Sequence, residues 1–237
     1  LVGLIGGILF AHRQMKAAVP FLDLRVLKTK EYALSVFGSI LLYLVLMGSS
    51  MLMPLYVQSI LGKSATISGL VVLPGSLVSA FLSPIAGRIY DKVGIRIITI
   101  IGGSSLVLSN IGMFFIHIHT GIWMAVCLNI LRCAATGCLL MPFVTWGNKN
   151  IPPELTAHGT ALLTSLRTVA GAIGTAVFVG IMNTVARNSH TLTGSAALLH
   201  GMNVSFLVMT VASGLLLFTG LFLIKDSRTE VLIEVEN

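Results

Sequence analysis

Two arginines stand inside long apolar runs: Arg132, with Asn129 and Thr136 at helical spacing, and Arg167, with Thr160, Thr164, Gly171 and Thr175 at the same spacing. A guanidinium is permanently charged and carries five donors, so it needs acceptors wherever it lies. Arg132 is 11 residues beyond Gly121 and Arg167 is 10 beyond Ala157. On a helix both offsets are about 15 Å of rise, close to the midplane of a hydrocarbon layer about 30 Å thick. An unpaired charge there costs at least about 2.5–3.5 kcal/mol on insertion scales, so each should face a polar cavity or a partner. The two approach from opposite sides and could meet at one level. They either fix helix packing through backbone carbonyls or shape the field around a solute.

A second polar pattern is Ser35, Ser39, Tyr43, Met47 and Ser50, which recur at steps of three or four and end near Pro54. A stripe of this kind turns toward a cavity or a neighbouring helix, and Met47 and Met51 offer adaptable apolar surface beside it. Solute contact and hydrogen bonding between helices are both open readings. Ala170, Gly171, Ala172, Gly174, Thr175, Ala176 and Gly180 form small-xxx-small spacings that let helix backbones approach closely. Pro74-Gly75 interrupts the hydrogen-bond ladder of another run, predicting a kink or hinge.

The segment Gly87-Arg88-Ile89-Tyr90-Asp91-Lys92-Val93-Gly94-Ile95-Arg96 is more ordered than a basic loop requires. Glycines at both ends suit a tight connection between two helices. Asp91 can pair with a neighbouring arginine or accept from a helix N-terminus, giving a latch among Gly87, Arg88, Asp91, Lys92, Gly94 and Arg96 that forms in one conformation and breaks in another.

Other chemistries find few residues. Cys127, Cys133 and Cys138 match no zinc or redox spacing and read as packing residues. His117 and His119 form an HxH pair with no third ligand nearby in sequence, so no metal site is assigned. Nucleophile elbow, phosphate loop and HExxH are all lacking, so neither a catalytic residue nor a cofactor is assigned and the chain is not read as an enzyme.

The elements that position these residues follow from composition. Hydrophobic residues make up 55% and charged residues 10%, with a mean hydropathy of +0.96, outside the range of soluble domains. Continuous apolar runs long enough for helical spans are predicted at about 33–57, 67–87, 95–117, 121–145, 160–185 and 203–224. They do not alternate as barrel strands would, so the fold class is all-α, a polytopic membrane protein. Residues 1–10 read as the end of a preceding transmembrane helix, 11–32 as a cytoplasmic connector, and 226–237 as a short cytoplasmic tail.

Charge sets the orientation. Eleven of the 15 Lys and Arg fall on one side of this span order, and only Lys63 and Arg187 fall on the other. That places the C-terminus in the cytoplasm and the chain as a multi-pass protein of the cell membrane. The net charge of +7 then reflects topology and anionic lipid, with no aromatic-interleaved stripe for nucleic acid. All eight acidic residues lie on the basic side, so no carboxylate sits at bilayer depth.

The segment at 87–96 resembles the cytoplasmic signature repeated in both halves of major facilitator superfamily transporters. Residues 20–25 (PFLDLR), 54–58 (PLYVQ), 73–75 (LPG), 83–88 (SPIAGR), 165–167 (SLR) and 170–174 (AGAIG) extend the likeness to the fourteen-helix drug:proton antiporter branch, the EmrB/QacA type. The resemblance implies that 33–225 is the C-terminal six-helix bundle. Its expected partners are a missing N-terminal bundle of the same chain, a small amphipathic or cationic substrate, protons and membrane lipid. It further implies a secondary-active exporter, a multidrug efflux antiporter working by alternating access and so tied to antibiotic resistance. On this reading Ser39, Tyr43, Met47, Asn129, Arg132, Thr164 and Arg167 are the candidate substrate path, with the arginines biasing carboxylates of the missing half. Pro74, Gly75, Gly171 and Gly174 are hinge or packing positions. Alternatives are an exporter of a specific metabolite, peptide or siderophore, and a non-transporting membrane scaffold or sensor.

Overall fold

The computed structural model describes residues 24–224 apart from 119, 190 and 191. The expected end of a preceding helix at 1–10, the connector up to residue 23, the motif residues 20–23, His119 and the tail lie outside the described residues.

Every regular element among the described residues is helical. Five helical stretches are long and apolar enough to cross a membrane. The longest, Ala65–Phe114, has 50 residues, about 75 Å at 1.5 Å per residue, more than twice the hydrocarbon thickness. It is two passes, because Gly94 adopts φ 78° and ψ 174° and breaks the helix. The described residues therefore form six long helices: α1 Lys30–Leu55, α2 over 65–93 and α3 over 95–114, α4 Ile122–Lys149, α5 Thr156–Arg187 and α6 Gly194–Phe218. α1 and α6 each continue into a wider π-turn, at Tyr56–Ile60 and Thr219–Leu223.

Central and peripheral helices differ in burial. Half or more of the most apolar window of α1 and of α4 is buried, against 28% in α5 and 33% in α6. Leu42, Leu52, Tyr56, Leu106, Leu139, Phe143 and Phe206 form the core between them. Exposed Phe81, Leu108, Trp123, Val169, Val211 and Phe222 face outward, as helices solvated by lipid or covered by further protein would.

Buried polar groups bond across helices. Tyr32 Oη donates to the Gly159 carbonyl at 2.7 Å, Ser109 Oγ to Leu128 O at 2.7 Å, Asn110 Nδ2 to Ser213 Oγ at 2.8 Å and Ser205 Oγ to Phe178 O at 2.9 Å. Without water, such bonds hold helices that apolar burial alone does not order.

Two sequence expectations are corrected here. The sixth span begins at Gly194, nine residues before Asn203. His200 and Gly201 read as loop, but a Cβ on Gly201 would run into the Met182 carbonyl, so this glycine sits inside α6 where α5 packs hardest. Gly87 lies within α2 with open space around it, so the connection turns on Gly94 alone. Pro74-Gly75 keeps helical angles inside α2, since within Ala65–Phe114 the backbone leaves them only at Gly94.

Candidate functional site

Tyr43 and Met47 on α1 face Arg167 and Gly171 on α5. A Cβ on Gly171 would fall 2.7 Å from Met47 Cγ and 2.9 Å from Tyr43 Cδ1. The missing side chain is what lets the aromatic ring lie against α5. Four residues earlier, one helical step along the same face, the Arg167 guanidinium carbon stands 5.4 Å from the Tyr43 ring centroid, within cation–π range. Arg167 Nε is buried with no hydrogen-bond partner, although the residue as a whole is only half-buried. A fixed positive charge with a buried, unpaired Nε–H, beside an aromatic face and a methionine, suits an amphipathic group that brings an acceptor. Gly174 closes the contact, because a Cβ there would overlap the Leu44 carbonyl oxygen. Thr164 is exposed and its carbonyl accepts from Thr168 Oγ1 at 2.7 Å.

The rest of the serine stripe divides. Ser35 is fully buried and donates to the Phe143 carbonyl on α4, which is the interhelical bonding role. Ser39 is buried beside it on the helix. Ser50 is exposed and bonds back to Met47 O at 2.8 Å.

Arg132 occupies a different place. It is 3% exposed and its Nη2 donates to Asn129 Oδ1, itself 1% exposed. Arg132 Nη1 and Asn129 Nδ2 are buried without partners. Gly75 adjoins this pair, since its Cβ would meet Asn129 Nδ2 at 2.7 Å and Cys133 Sγ at 2.9 Å. Gly75, one of the positions expected to serve as hinge or packing, thus packs α2 on the Asn129 that holds the buried arginine of α4. The two arginines are anchored on different neighbours, Arg132 on Asn129 beside α2 and Arg167 on Tyr43 of α1.

At the basic end of the bundle, Asp91 pairs with Lys149 at the end of α4, Nζ to Oδ1 3.6 Å. The expected partner was an arginine or a helix N-terminus. Lys149 Nζ also lies 4.9 Å from the Tyr90 ring centroid. Past the Gly94 break, Arg96 Nη2 donates to Leu221 O at 3.2 Å. One chain reversal is therefore tied to the ends of both α4 and α6. Arg88 and Lys92 are exposed on α2 near this end. Sequence reasoning missed Lys149 because nothing local marks it as facing Asp91.

A family model described as Major Facilitator Superfamily matches residues 6–175. The uncharacterized MFS-type transporter YcnB of Bacillus subtilis is 37% identical over 211 residues, 89% of this chain and 45% of the relative. The lincomycin resistance protein LmrB of Bacillus subtilis is 35% identical over 184 residues, 77% of this chain and 38% of the relative. The riboflavin transporter RibZ of Clostridioides difficile is 25% identical over 178 residues, 75% of this chain and 39% of the relative. The chain spans less than half the length of these curated relatives. Apolar helices of membrane length, the break at Gly94 and these likenesses converge: the chain belongs to the major facilitator superfamily of membrane transporters.

Proposed function

We propose that this chain is the C-terminal bundle of a multidrug exporter that moves small amphipathic or cationic compounds out of the cell in exchange for protons, by alternating access against an N-terminal bundle. The observation that carries the reading is the α1–α5 contact, where Arg167, Tyr43, Met47 and Gly171 place a charge, an aromatic face and a flexible thioether together. Such a surface accepts varied shapes, as promiscuous sites do. Similarity to a lincomycin resistance protein supports drug as cargo.

Coupling residues would come from the other bundle. Glu31, Asp91 and Glu154 all lie at the basic helix ends, away from bilayer depth. On this reading the ends bearing Asp91, Arg96 and Lys149 face the cytoplasm, as does the C-terminus. Similarity to a riboflavin transporter favours a second reading, transport of one specific metabolite.

Efflux of a fluorescent lipophilic cation from cells expressing the full-length gene, with and without a protonophore, separates the two. Protonophore-sensitive efflux that is lost in Arg167→Ala supports the drug exporter. An inserted wild-type protein that exports no such cation moves the assignment to a specific metabolite.

A further inference from the structure

A cleft of about 240 Å³ opens between α2, α3 and α4, with Ala86, Ile89, Ile101, Gly102, Ser105 and Ala134 in its wall. Short side chains make the space, and Gly102 lets α3 close on α4 behind it: a Cβ there would meet Leu139 Cγ at 2.6 Å. Ile89 and Ile101 on the rim are 43% and 62% exposed, so the cleft opens sideways, to the medium around the bundle. Its hydroxyl is turned into the helix, Ser105 Oγ donating to Ile101 O at 2.9 Å. Charged side chains are missing from the wall among the described residues.

Depth fits one leaflet. α2 and α3 lead away from the reversal at Gly94, and Ile89 and Ser105 stand 5 residues before it and 11 after it. At 1.5 Å per residue these are about 7 and about 16 Å along the helices, while one leaflet contributes about half of a 30 Å hydrocarbon layer. The cleft therefore runs from below the headgroups toward the midplane. Charge is gathered at its shallow end. Lys92 follows Ile89 by three residues, one step along the same face, and Arg88 precedes it; both are exposed. Long basic side chains at this level reach up to the headgroups. Asp91, the carboxylate of the 87–96 segment, faces Lys149.

An apolar slot of one-leaflet depth under a basic end matches a lipid with an anionic headgroup. We propose that one anionic phospholipid binds here, with an acyl chain in the cleft between α2, α3 and α4 and its phosphate against Arg88 and Lys92. A further protein helix is about 10–12 Å across and too thick to enter a space of this size. The inference rests on the chain spanning a membrane and stands whatever the transporter carries.

The test is native mass spectrometry of the full-length protein, purified in detergent, with phosphatidylglycerol or phosphatidylcholine of identical chains added back. Wild type should hold one phosphatidylglycerol roughly tenfold more tightly than phosphatidylcholine. Ala134→Phe, which fills the cleft, should lose that lipid. The double variant Arg88→Gln/Lys92→Gln should bind the two lipids alike, and Lys63→Gln at the other end of α2 should keep the preference. Glycerol phosphate, which has the anionic group without a chain, should not displace the lipid. Melting temperatures equal to wild type show that the variants are folded, and the double variant, altered only at exposed positions, decides even where Ala134→Phe does not fold. Equal binding of both lipids by wild type, a preference unchanged in the double variant or in folded Ala134→Phe, or displacement by glycerol phosphate overturns the proposal.

Discussion

Arg167 on α5 rests its guanidinium against the Tyr43 ring of α1 at 5.4 Å, and its Nε has no protein acceptor. The ring, rather than the phenol oxygen, is the partner. Tyr43→Phe should therefore leave efflux near wild type, whereas Tyr43→Leu should reduce it. The contact itself is worth about 0.5–2 kcal/mol, so melting temperature should shift little in either variant. Equal loss of efflux in Phe and Leu variants would show that the hydroxyl matters instead.

Helix packing gives a sharper stability test. Gly174 has no room for a methyl group, since its Cβ would overlap the Leu44 carbonyl, while Gly180 on the same helix has open space. Gly174→Ala should destabilise by about 1–3 kcal/mol, the usual range for overpacking. Gly180→Ala should stabilise by about 0.5–1 kcal/mol through helix propensity alone. Thermal melting of both in detergent decides it, and a harmless Gly174→Ala would mean that α1 and α5 separate easily.

The two glycines of the 87–96 segment should part company in the same way. Gly94 holds φ 78° with ψ 174°, a region almost reserved for glycine, whereas Gly87 is helical and uncrowded. Gly94→Ala is expected to cost about 1–3 kcal/mol and to loosen the bonds that follow the turn. Gly87→Ala should be neutral or mildly stabilising. Melting temperatures that rank the other way would place the reversal at the start of the segment.

Asp91 and Lys149 are paired in the open, with side chains 67% and 60% exposed. Exposed pairs contribute about 0–1 kcal/mol and weaken with salt. Asp91→Asn should leave the melting temperature almost unchanged while altering transport, if the pair forms and breaks during the cycle. A large fall in melting temperature would instead make it a static brace.

Much of this arrangement was legible in the sequence because lipid leaves few alternatives. Continuous apolar runs gave six passes, and the largest shift of an end falls at the start of α6. Gly201 looked like a loop residue until Met182 was beside it. Tyr43, Met47, Arg167 and Gly171 were each visible as anomalies on their own helix, and periodicity placed them on faces. Which faces meet was not visible, so Arg132 and Arg167 could be set at one depth without revealing that one lies by α2 and the other on α1. Lys149 escaped notice because a single polar residue near a helix end carries no local signal of what it opposes.

Arg132 and Asn129 permit the separation of structure from function at a buried charge. Asn129 Oδ1 is the acceptor for Arg132 Nη2, and both residues are almost wholly enclosed. Asn129→Ala would strand the guanidinium, and hydrogen bonds to charged groups are worth about 1.5–3 kcal/mol, so the protein should lose that much stability. Arg132→Met removes the charge and keeps the volume, a change that is often neutral or stabilising in buried settings. If Arg132→Met inserts and melts like wild type yet exports nothing, the arginine is kept for transport at the expense of stability. If it both melts and transports normally, Arg132 serves packing alone, and the substrate path narrows to the α1–α5 contact.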